Sequence, residues 1–234
     1  MGIMRNKVFA VGLFVILGFV GVGYSQEGDS VRVASGGITV KGWTGKVDAK
    51  EAAAGLNINN AKLASEGKGL RVTTGPATTY WNPKNTAKGD YTVSATFTEA
   101  KYMNLNTHPH PCGIVIAGND LGTDKESYLY CAAYGNGTFI VRGFGPKPFQ
   151  LNGRPQADAA VNKAAGVGQP VTQHIAISVK GPTVACSINN KVVATYDKSA
   201  VVTEGKLKST DGVYGIRFAH NTDAVVTDLK VTKN

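Results

Sequence analysis

The chain has 234 residues, of which 42% are hydrophobic and 18% charged, with 29 glycines, 9 prolines and a formal net charge of +9. It has no heptad pattern, internal repeat or long low-complexity tract, which excludes coiled-coil, repeat and largely disordered architectures. The positive charge favours an acidic partner, such as anionic polysaccharide or a cell surface, or serves solubility alone. No basic run reaches five residues, so we expect no nucleic-acid partner.

The first 25 residues have the pattern of a secretory signal peptide. Two basic residues come first, residues 8–22 are apolar, and Gly23 and Ser25 are the small residues before a cleavage site. An uncleaved anchor is the alternative, but the apolar run is shorter than the roughly 18–20 residues that span a membrane. We therefore expect residues 1–25 to be removed and 26–234 to form a single exported domain. That domain would lie in the periplasm, on the cell surface or outside the cell, without a stable membrane span.

The first strands of the mature chain are short, and helix is nearly absent. Residues 62–65 and 69–74 are predicted strands, and only Lys50–Ala54 is prone to helix, for about one turn. Residues 90–98 give the cleanest alternation of the chain, with Tyr91, Val93, Ala95 and Phe97 on the side that faces the core.

The centre of the chain predicts a three-stranded antiparallel meander. Its strands are Cys112–Ala117, Ser127–Tyr134 and Thr138–Phe144, and residues 135–137 (GNG) supply the positive φ of a tight turn. We expect this meander to lie at the centre of one sheet, together with the strand at 90–98.

The last third of the chain adds more antiparallel strands. Two runs, Thr183–Ile188 and Lys191–Tyr196, flank Asn189-Asn190, a signal for a type I′ hairpin. With about 12 strands in total, the chain predicts an all-β fold, an antiparallel β-sandwich or jelly roll. The predicted core comprises Val93, Phe97, Ile114 or Val115, Leu129, Ile140, Ile177, Val184, Ile216 and Leu229.

The chain has three cysteines, an odd number for an exported protein. If Ala117 pairs with Glu126 across the first hairpin of the meander, Cys112 lies opposite Cys131, within reach of a disulfide bond. We therefore predict a Cys112–Cys131 disulfide and an unpaired Cys186. The alternative is two buried thiols acting as small apolar side chains.

Four stretches resemble the concanavalin A-like lectin/glucanase superfamily: GDYTVSATF, the meander, HIAISVKGPTVACSINNKVVATYD and DGVYGIRFAHNTDAVVTDLKVTK. Over about residues 60–234 the chain is most similar to 3-keto-disaccharide hydrolase-type and laminin-G-like domains of exported bacterial proteins. This resemblance implies a concanavalin A-like jelly roll. Its motifs are structural, so no catalytic residue is carried over.

One departure from the superfamily bears on catalysis. Its family 16 glucanases carry acidic residues at E-x-D-x-x-E spacing on one strand, which places two carboxyl groups about 5–5.5 Å apart for retaining hydrolysis. This chain has no such spacing, and its nearest acidic cluster, Asp120, Asp124 and Glu126, falls in a turn. A hydrolase of that type is therefore disfavoured.

The loop at 101–111 is the richest in groups that bind ligands, and prolines stiffen it. His108, His110 and Cys112 alternate in a manner that could suit copper or zinc, with His220 as a distant fourth ligand. Two intervening prolines make three ligands from one segment awkward, so we interpret the segment as a rigid loop and predict no metal and no cofactor. The residues predicted to line one ligand-binding groove are Tyr102, Asn104, His108, His110, Tyr134 and Arg142.

Two functions follow as hypotheses. The first is a non-catalytic exported module that binds carbohydrate or a cell-envelope component. The alternative is a sugar-cleaving enzyme of the 3-keto-disaccharide hydrolase type, using His108, His110, Arg142 or Glu99. An enzyme requires two or more titratable groups that converge in one pocket, whereas scattered groups favour the binding module.

Overall fold

The computed structural model describes residues 1–2 and 34–234, and most of its regular structure is β-strand. Two one-turn helices, α1 (Ala49–Ala53) and α2 (Lys198–Val201), and a 3-10 turn (Ile58–Asn60) interrupt the strands. The strands are β1 (Gly37–Ile38), β2 (Thr44–Val47), β3 (Ala61–Glu66), β4 (Gly69–Thr74), β5 (Thr78–Ala87), β6 (Tyr91–Glu99), β7 (Cys112–Asn119), β8 (Ser127–Ala133), β9 (Thr138–Phe144), β10 (Phe149–Gln150), β11 (Gln156–Ala157), β12 (Val171–Lys180), β13 (Thr183–Ile188), β14 (Lys191–Asp197), β15 (Gly212–Phe218) and β16 (Asp223–Lys233). The predicted signal peptide lies, apart from residues 1–2, outside the described residues.

Within the described residues, the strands form two eight-stranded sheets. The first sheet has the order β1-β3-β4-β16-β6-β12-β13-β14. The second has the order β10-β9-β8-β7-β15-β5-β2, and β11 also pairs with β9. The large pairings, including β12 with β6 and β7 with β8, are antiparallel. The prediction of an antiparallel β-sandwich is confirmed. Within the described part of the chain, no helix combines the length and apolar composition that crossing a bilayer requires.

Apolar residues at alternate strand positions fill the space between the sheets. Val93, Phe97, Ile177 and Ile216 are at most 1% exposed and share one core cluster. Leu229 is only partly buried against that cluster. Two other predicted core residues, Val115 and Ile140, are buried in a separate cluster. Alternation thus identified the buried positions, and the second cluster shows that the second sheet is covered on both faces.

The predicted sheet assignment of the strand at 90–98 is wrong. The meander β7-β8-β9 lies in the second sheet, whereas β6 lies in the first sheet between β16 and β12. Residue alternation fixes the face that a strand buries, but β6 pairs with strands that are distant in sequence, and no local pattern specifies those partners.

The tight turn of the β13–β14 hairpin is confirmed. Asn189 and Asn190 have φ values of 49° and 66°, in the left-handed region that a type I′ turn requires. The side chain of Asn189 also accepts a hydrogen bond from the backbone N–H of His174 (2.8 Å) and donates one to the carbonyl of Ala160 (2.7 Å). The turn is therefore joined to β12 and to the preceding loop.

The predicted Cys112–Cys131 disulfide is also wrong. Cys131 of β8 bonds to Cys186 of β13, with the two Cα atoms 6.2 Å apart, and Cys112 is a buried free thiol. The strands of the first hairpin continue to Asn119 and Ser127 with a bulge before Asn119, so Cys131 lies opposite Ile114. The three cysteines all face the core, and the bond joins one sheet to the other.

Candidate functional site

A cleft of about 480 Å³ lies on the outer face of the second sheet, which contains the meander β7-β8-β9 and is called the meander sheet from here on. Strands β8, β9 and β15 contribute its floor, the segment 48–56 that contains α1 forms one wall, and the ends of the loops before β7 and after β15 form its rim. It is lined by Asp48, Lys50, Glu51, Ala54, Leu56, Ala77, His110, Pro111, Tyr130, Ala132, Tyr134, Ile140, Arg142, Arg217, Ala219 and His220.

The floor of the cleft is apolar and aromatic. Tyr130, Ala132 and Ile140 belong to the second apolar cluster, which also contains Tyr128 and has Phe144 packed against it. The rings of Tyr128 and Phe144 are stacked, with centroids 4.9 Å apart. Every residue of β8 is buried because the sheet core covers one face of this strand and the outer cluster covers the other.

Arg217 crosses this apolar floor as a buried charge. Its side chain donates hydrogen bonds to the two carboxylate oxygens of Asp48 (2.8 and 2.6 Å) and to Oγ1 of Thr79 (2.9 Å). The guanidinium carbon lies 5.0 Å from the ring centre of Tyr130 and 4.9 Å from that of Phe144. Burial acts to lower the pKa of Arg217, but nearby tyrosine hydroxyls and Asp48 outweigh it and raise the pKa, so the guanidinium stays charged.

Arg142 presents a hydrogen-bond donor that the described residues leave unused. It lies on β9 opposite Tyr130, and its Nε atom is buried without a hydrogen-bond acceptor among residues 1–2 and 34–234. Tyr134 lines the same cleft, where burial raises the pKa of its hydroxyl and the Arg142 charge offsets part of that rise. A buried donor of this kind is costly unless a ligand or water accepts its hydrogen bond.

Three histidines converge at the rim of the cleft. The ring centres of His108 and His110 are 4.4 Å apart, and those of His110 and His220 are 3.9 Å apart. One nitrogen from each ring lies within 4.8 Å of the others. His108 and His110 each precede a proline, Pro109 and Pro111, which favours extended backbone and places alternate side chains on one side. This cluster could hold a transition-metal ion.

The backbone brings His220 to the other two histidines. The N–H of Ala219 donates a hydrogen bond to the carbonyl of Pro111 (3.0 Å), which joins the end of β15 to the start of β7. Nδ1 of His220 lies 3.4 Å from Oε1 of Glu51. The other carboxylate oxygen of Glu51 accepts a hydrogen bond from the N–H of Ala77. Glu51 is thereby fixed between the wall and the rim of the cleft.

The structure places the six predicted groove residues in different surroundings. His110, Tyr134 and Arg142 line the cleft, and His108 joins the histidine cluster at its rim. Asn104 lines a separate depression of about 200 Å³. Tyr102 is 6% exposed and packs on Gly135, where a Cβ atom would come within 2.5 Å of the tyrosine ring. Because Gly135 has no side chain, the ring of Tyr102 packs directly on its backbone and lies outside the cleft.

Glu99, the acidic residue of the alternative hypothesis, does not line the cleft. It is the last residue of β6 and occupies one of the alternate positions that face the core. Its side chain is 6% exposed. Burial, with a smaller contribution from Asp223, raises its pKa to about 7. The group is therefore a buried, weakened acid at one end of the sandwich.

Sequence reasoning missed several cleft residues, among them Asp48, Glu51 and Arg217. One signal was present: Arg217 stands inside the otherwise apolar strand β15, and a buried charge needs a partner. The identity of that partner, Asp48, could not be read from the sequence, because the two residues are 169 positions apart.

The chain matches no protein-family model and is similar to no curated protein at a significant level. Its fold is that of solved structures with very different sequences. A carbohydrate binding module, CBM66 from Bacillus subtilis, aligns with a TM-score of 0.54 and 9% identity over 84% of this chain and 98% of that one. A Bacillus subtilis protein of unknown function with a galectin-like fold gives 0.55 and 13% identity, over 88% of this chain and 94% of that one. The endo-beta-1,3-glucanase from Pyrococcus furiosus gives 0.52 and 12% identity, over 82% and 88%. The chain therefore has the concanavalin A-like lectin/glucanase fold, as the sequence resemblance implied.

Proposed function

We propose that the protein is an exported carbohydrate-binding β-sandwich whose ligand lies in the cleft on the outer face of the meander sheet. The observation that carries this proposal is the combination, in one cleft, of an aromatic floor and of charged hydrogen-bonding groups. A sugar ring has apolar faces that pack on aromatic rings and hydroxyl groups that donate and accept hydrogen bonds. The half-buried Tyr134 provides the accessible ring above the buried Tyr130, and Arg142 and Asp48 provide the polar groups.

Arg142 gives this proposal a specific contact. Its buried Nε–H lacks an acceptor among the described residues, and a sugar hydroxyl or carboxylate in the cleft would supply one. Arg217 has a different role, because its guanidinium already donates hydrogen bonds to Asp48 and Thr79. It holds Asp48 at the cleft wall, where the carboxylate can accept hydrogen bonds from sugar hydroxyls.

Three further observations support an exported binding module. The leader pattern over residues 1–25 indicates export. The Cys131–Cys186 disulfide is typical of an oxidising compartment. The solved structures of the same fold include a carbohydrate binding module. Fractionation of expressing cells, followed by N-terminal sequencing that begins at Gln26, tests the export component.

The binding component is tested with residues 26–234 on a glycan array, followed by calorimetric titration of the best glycan. Arg142→Ala should weaken binding at least tenfold without lowering the melting temperature, since it removes a buried Nε–H donor that makes no hydrogen bond to the described residues. Arg154→Ala is the matched control, because Arg154 is exposed and does not line the cleft. A protein that binds no glycan, or an Arg142→Ala variant that binds as tightly as the wild type, would overturn the assignment.

A sugar-cleaving activity of the 3-keto-disaccharide hydrolase type is the second candidate. The observation in its favour is that Asp48, Glu51, His110 and His220 converge in one cleft, as a hydrolytic site requires. A hydrolysis screen with oxidised disaccharides separates the two functions. Product release that Glu51→Gln abolishes would replace the non-catalytic proposal, and its absence with intact glycan binding would favour the binding module.

A further inference from the structure

We propose that His108, His110 and His220 form a binding site for a first-row transition-metal ion, with Zn²⁺ as the ion that fits the ligand set best. Three imidazole nitrogens suit zinc and copper, whereas calcium and magnesium prefer oxygen ligands. The site goes beyond carbohydrate binding and does not depend on it.

The geometry of the histidines is close to that of a bound ion. Zn–N bonds of about 2.0–2.1 Å place the nitrogens of a tetrahedral site roughly 3.4 Å apart. The three nitrogens of the cluster already lie within 4.8 Å of one another. His110 is 7% exposed and His108 is exposed, so the ring of His108 can rotate toward the other two as the ion binds.

Glu51 completes the arrangement as a second layer of contacts. Metal-binding histidines commonly donate their other ring N–H to a carboxylate, which fixes the orientation of the ring. Nδ1 of His220 lies 3.4 Å from Oε1 of Glu51, and Glu51 is itself fixed by the N–H of Ala77. A carboxylate in this position would orient the imidazole of His220 toward the other two histidines.

The backbone around the site is constrained before any ion binds. Two prolines restrict the segment that carries His108 and His110. The turn that carries His220 is held by the Ala219–Pro111 hydrogen bond and by Oγ1 of Thr74, which donates to the carbonyl of Ala219 (2.7 Å). Such constraints reduce the entropy lost when the three rings are ordered around a metal.

The position of the site suggests what completes the coordination. His110 and His220 both line the cleft, so the fourth position of a three-histidine ion would be next to it. A three-ligand zinc site keeps that position for water or for a ligand atom. The carboxylates of Asp48 and Glu51, which line the same cleft, offset the local positive charge of Arg217 and Lys50.

The test uses untagged residues 26–234, stripped with EDTA and titrated with ZnCl₂ by calorimetry and with CoCl₂ by visible absorption. One equivalent should bind, and Co²⁺ should give the intense absorption of a tetrahedral site. His220→Ala and the exposed variant His108→Ala should each weaken binding at least 100-fold. His174→Ala is the matched control, because His174 is the fourth histidine of the chain and lies on β12 in the other sheet.

The outcomes distinguish this site from the proposed function. No binding of either ion, or equal losses in His108→Ala and His174→Ala, would overturn the metal site. His108→Ala changes an exposed side chain, so the variant should fold normally. A melting temperature equal to that of the wild type excludes misfolding as the cause of weaker metal binding. Glycan binding by the EDTA-treated protein tests the sugar cleft separately, so either proposal can fail without the other.

Discussion

Arg217 and Asp48 are joined by two hydrogen bonds, of 2.8 and 2.6 Å, although 169 residues separate them in the sequence. The pair links β15, the last strand of the meander sheet in chain order, to the segment 48–56 that forms the cleft wall. A bidentate arginine–carboxylate contact fixes both side chains in one geometry. The shape of the cleft therefore depends on this pair.

Asp48→Ala should destabilise the protein, because it leaves the charge of Arg217 buried without its partner. We expect a loss of about 2–4 kcal/mol in the free energy of unfolding, somewhat below that of a fully enclosed pair. The side chain of Asp48 retains 24% exposure, which moderates the loss. Urea unfolding measures the change.

The control is Asp120→Asn, which removes the exposed ion pair of Asp120 with Lys208 and keeps a residue type that tolerates the positive φ (51°) of this position. Exposed pairs contribute little, so this variant should stay within about 0.5 kcal/mol of the wild type. Equal effects of the two substitutions would contradict the role of the Arg217–Asp48 pair.

The disulfide should contribute substantially to stability. It closes a loop of 55 residues, for which the chain-entropy argument gives about 4 kcal/mol. The double variant Cys131→Ala/Cys186→Ala should lose stability of that order, whereas a reducing agent should leave the stability of the variant unchanged. Thiol counting on the denatured, unreduced wild type should find one free thiol, and peptide mapping should assign it to Cys112. A free Cys186 would contradict the pairing.

Glu99 should make the protein less stable as the pH rises. Burial raises its pKa from 4.5 to about 7. Below pH 4.5 the carboxyl group of Glu99 is protonated in both the folded and the unfolded chain. Between pH 4.5 and 7 the unfolded chain loses this proton and the folded chain keeps it. The stability contribution therefore falls over that window, by up to about 3 kcal/mol.

Glu99→Gln should remove this dependence and be more stable than the wild type at pH 8, with little difference at pH 4. Thermal unfolding at both values measures the effect. Glu204→Gln, which alters an exposed glutamate, provides the control and should show no such difference. A wild-type advantage at pH 8 would refute the assignment of a raised pKa.

Ile177→Ala should create a cavity at the centre of the first sheet. Ile177 lies opposite Val93 on β6 and Cys186 on β13 and is 1% exposed. Truncation of a buried isoleucine costs about 2–5 kcal/mol. Val192→Ala, at a residue that is 62% exposed, should cost far less. Denaturant unfolding compares the two variants, and a loss below about 1 kcal/mol for Ile177→Ala would show that the site relaxes or is poorly packed.

The sequence by itself determined the strands of the meander and of the last third of the chain, their buried faces and the Asn189-Asn190 turn. Period-two alternation placed Val93, Phe97 and Ile177 in the core, and Asn189-Asn190 marked a turn with two left-handed residues. These features are local, since a strand's side chains alternate and a turn's φ values depend on its own residues. The same patterns carry the resemblance to the lectin/glucanase fold.

Only the tertiary structure decided which strands are neighbours and which distant side chains meet. Ala117, with a φ of 58°, lies in the bulge of β7 that helps set the register, so that Cys131 lies opposite Ile114 and bonds to Cys186 on the other sheet. The same long-range pairing brings His220 to His110 and Asp48 to Arg217. Such contacts depend on the order of strands in each sheet and on the exact number of residues in each strand and turn. The alternation of apolar residues along a strand specifies neither of these.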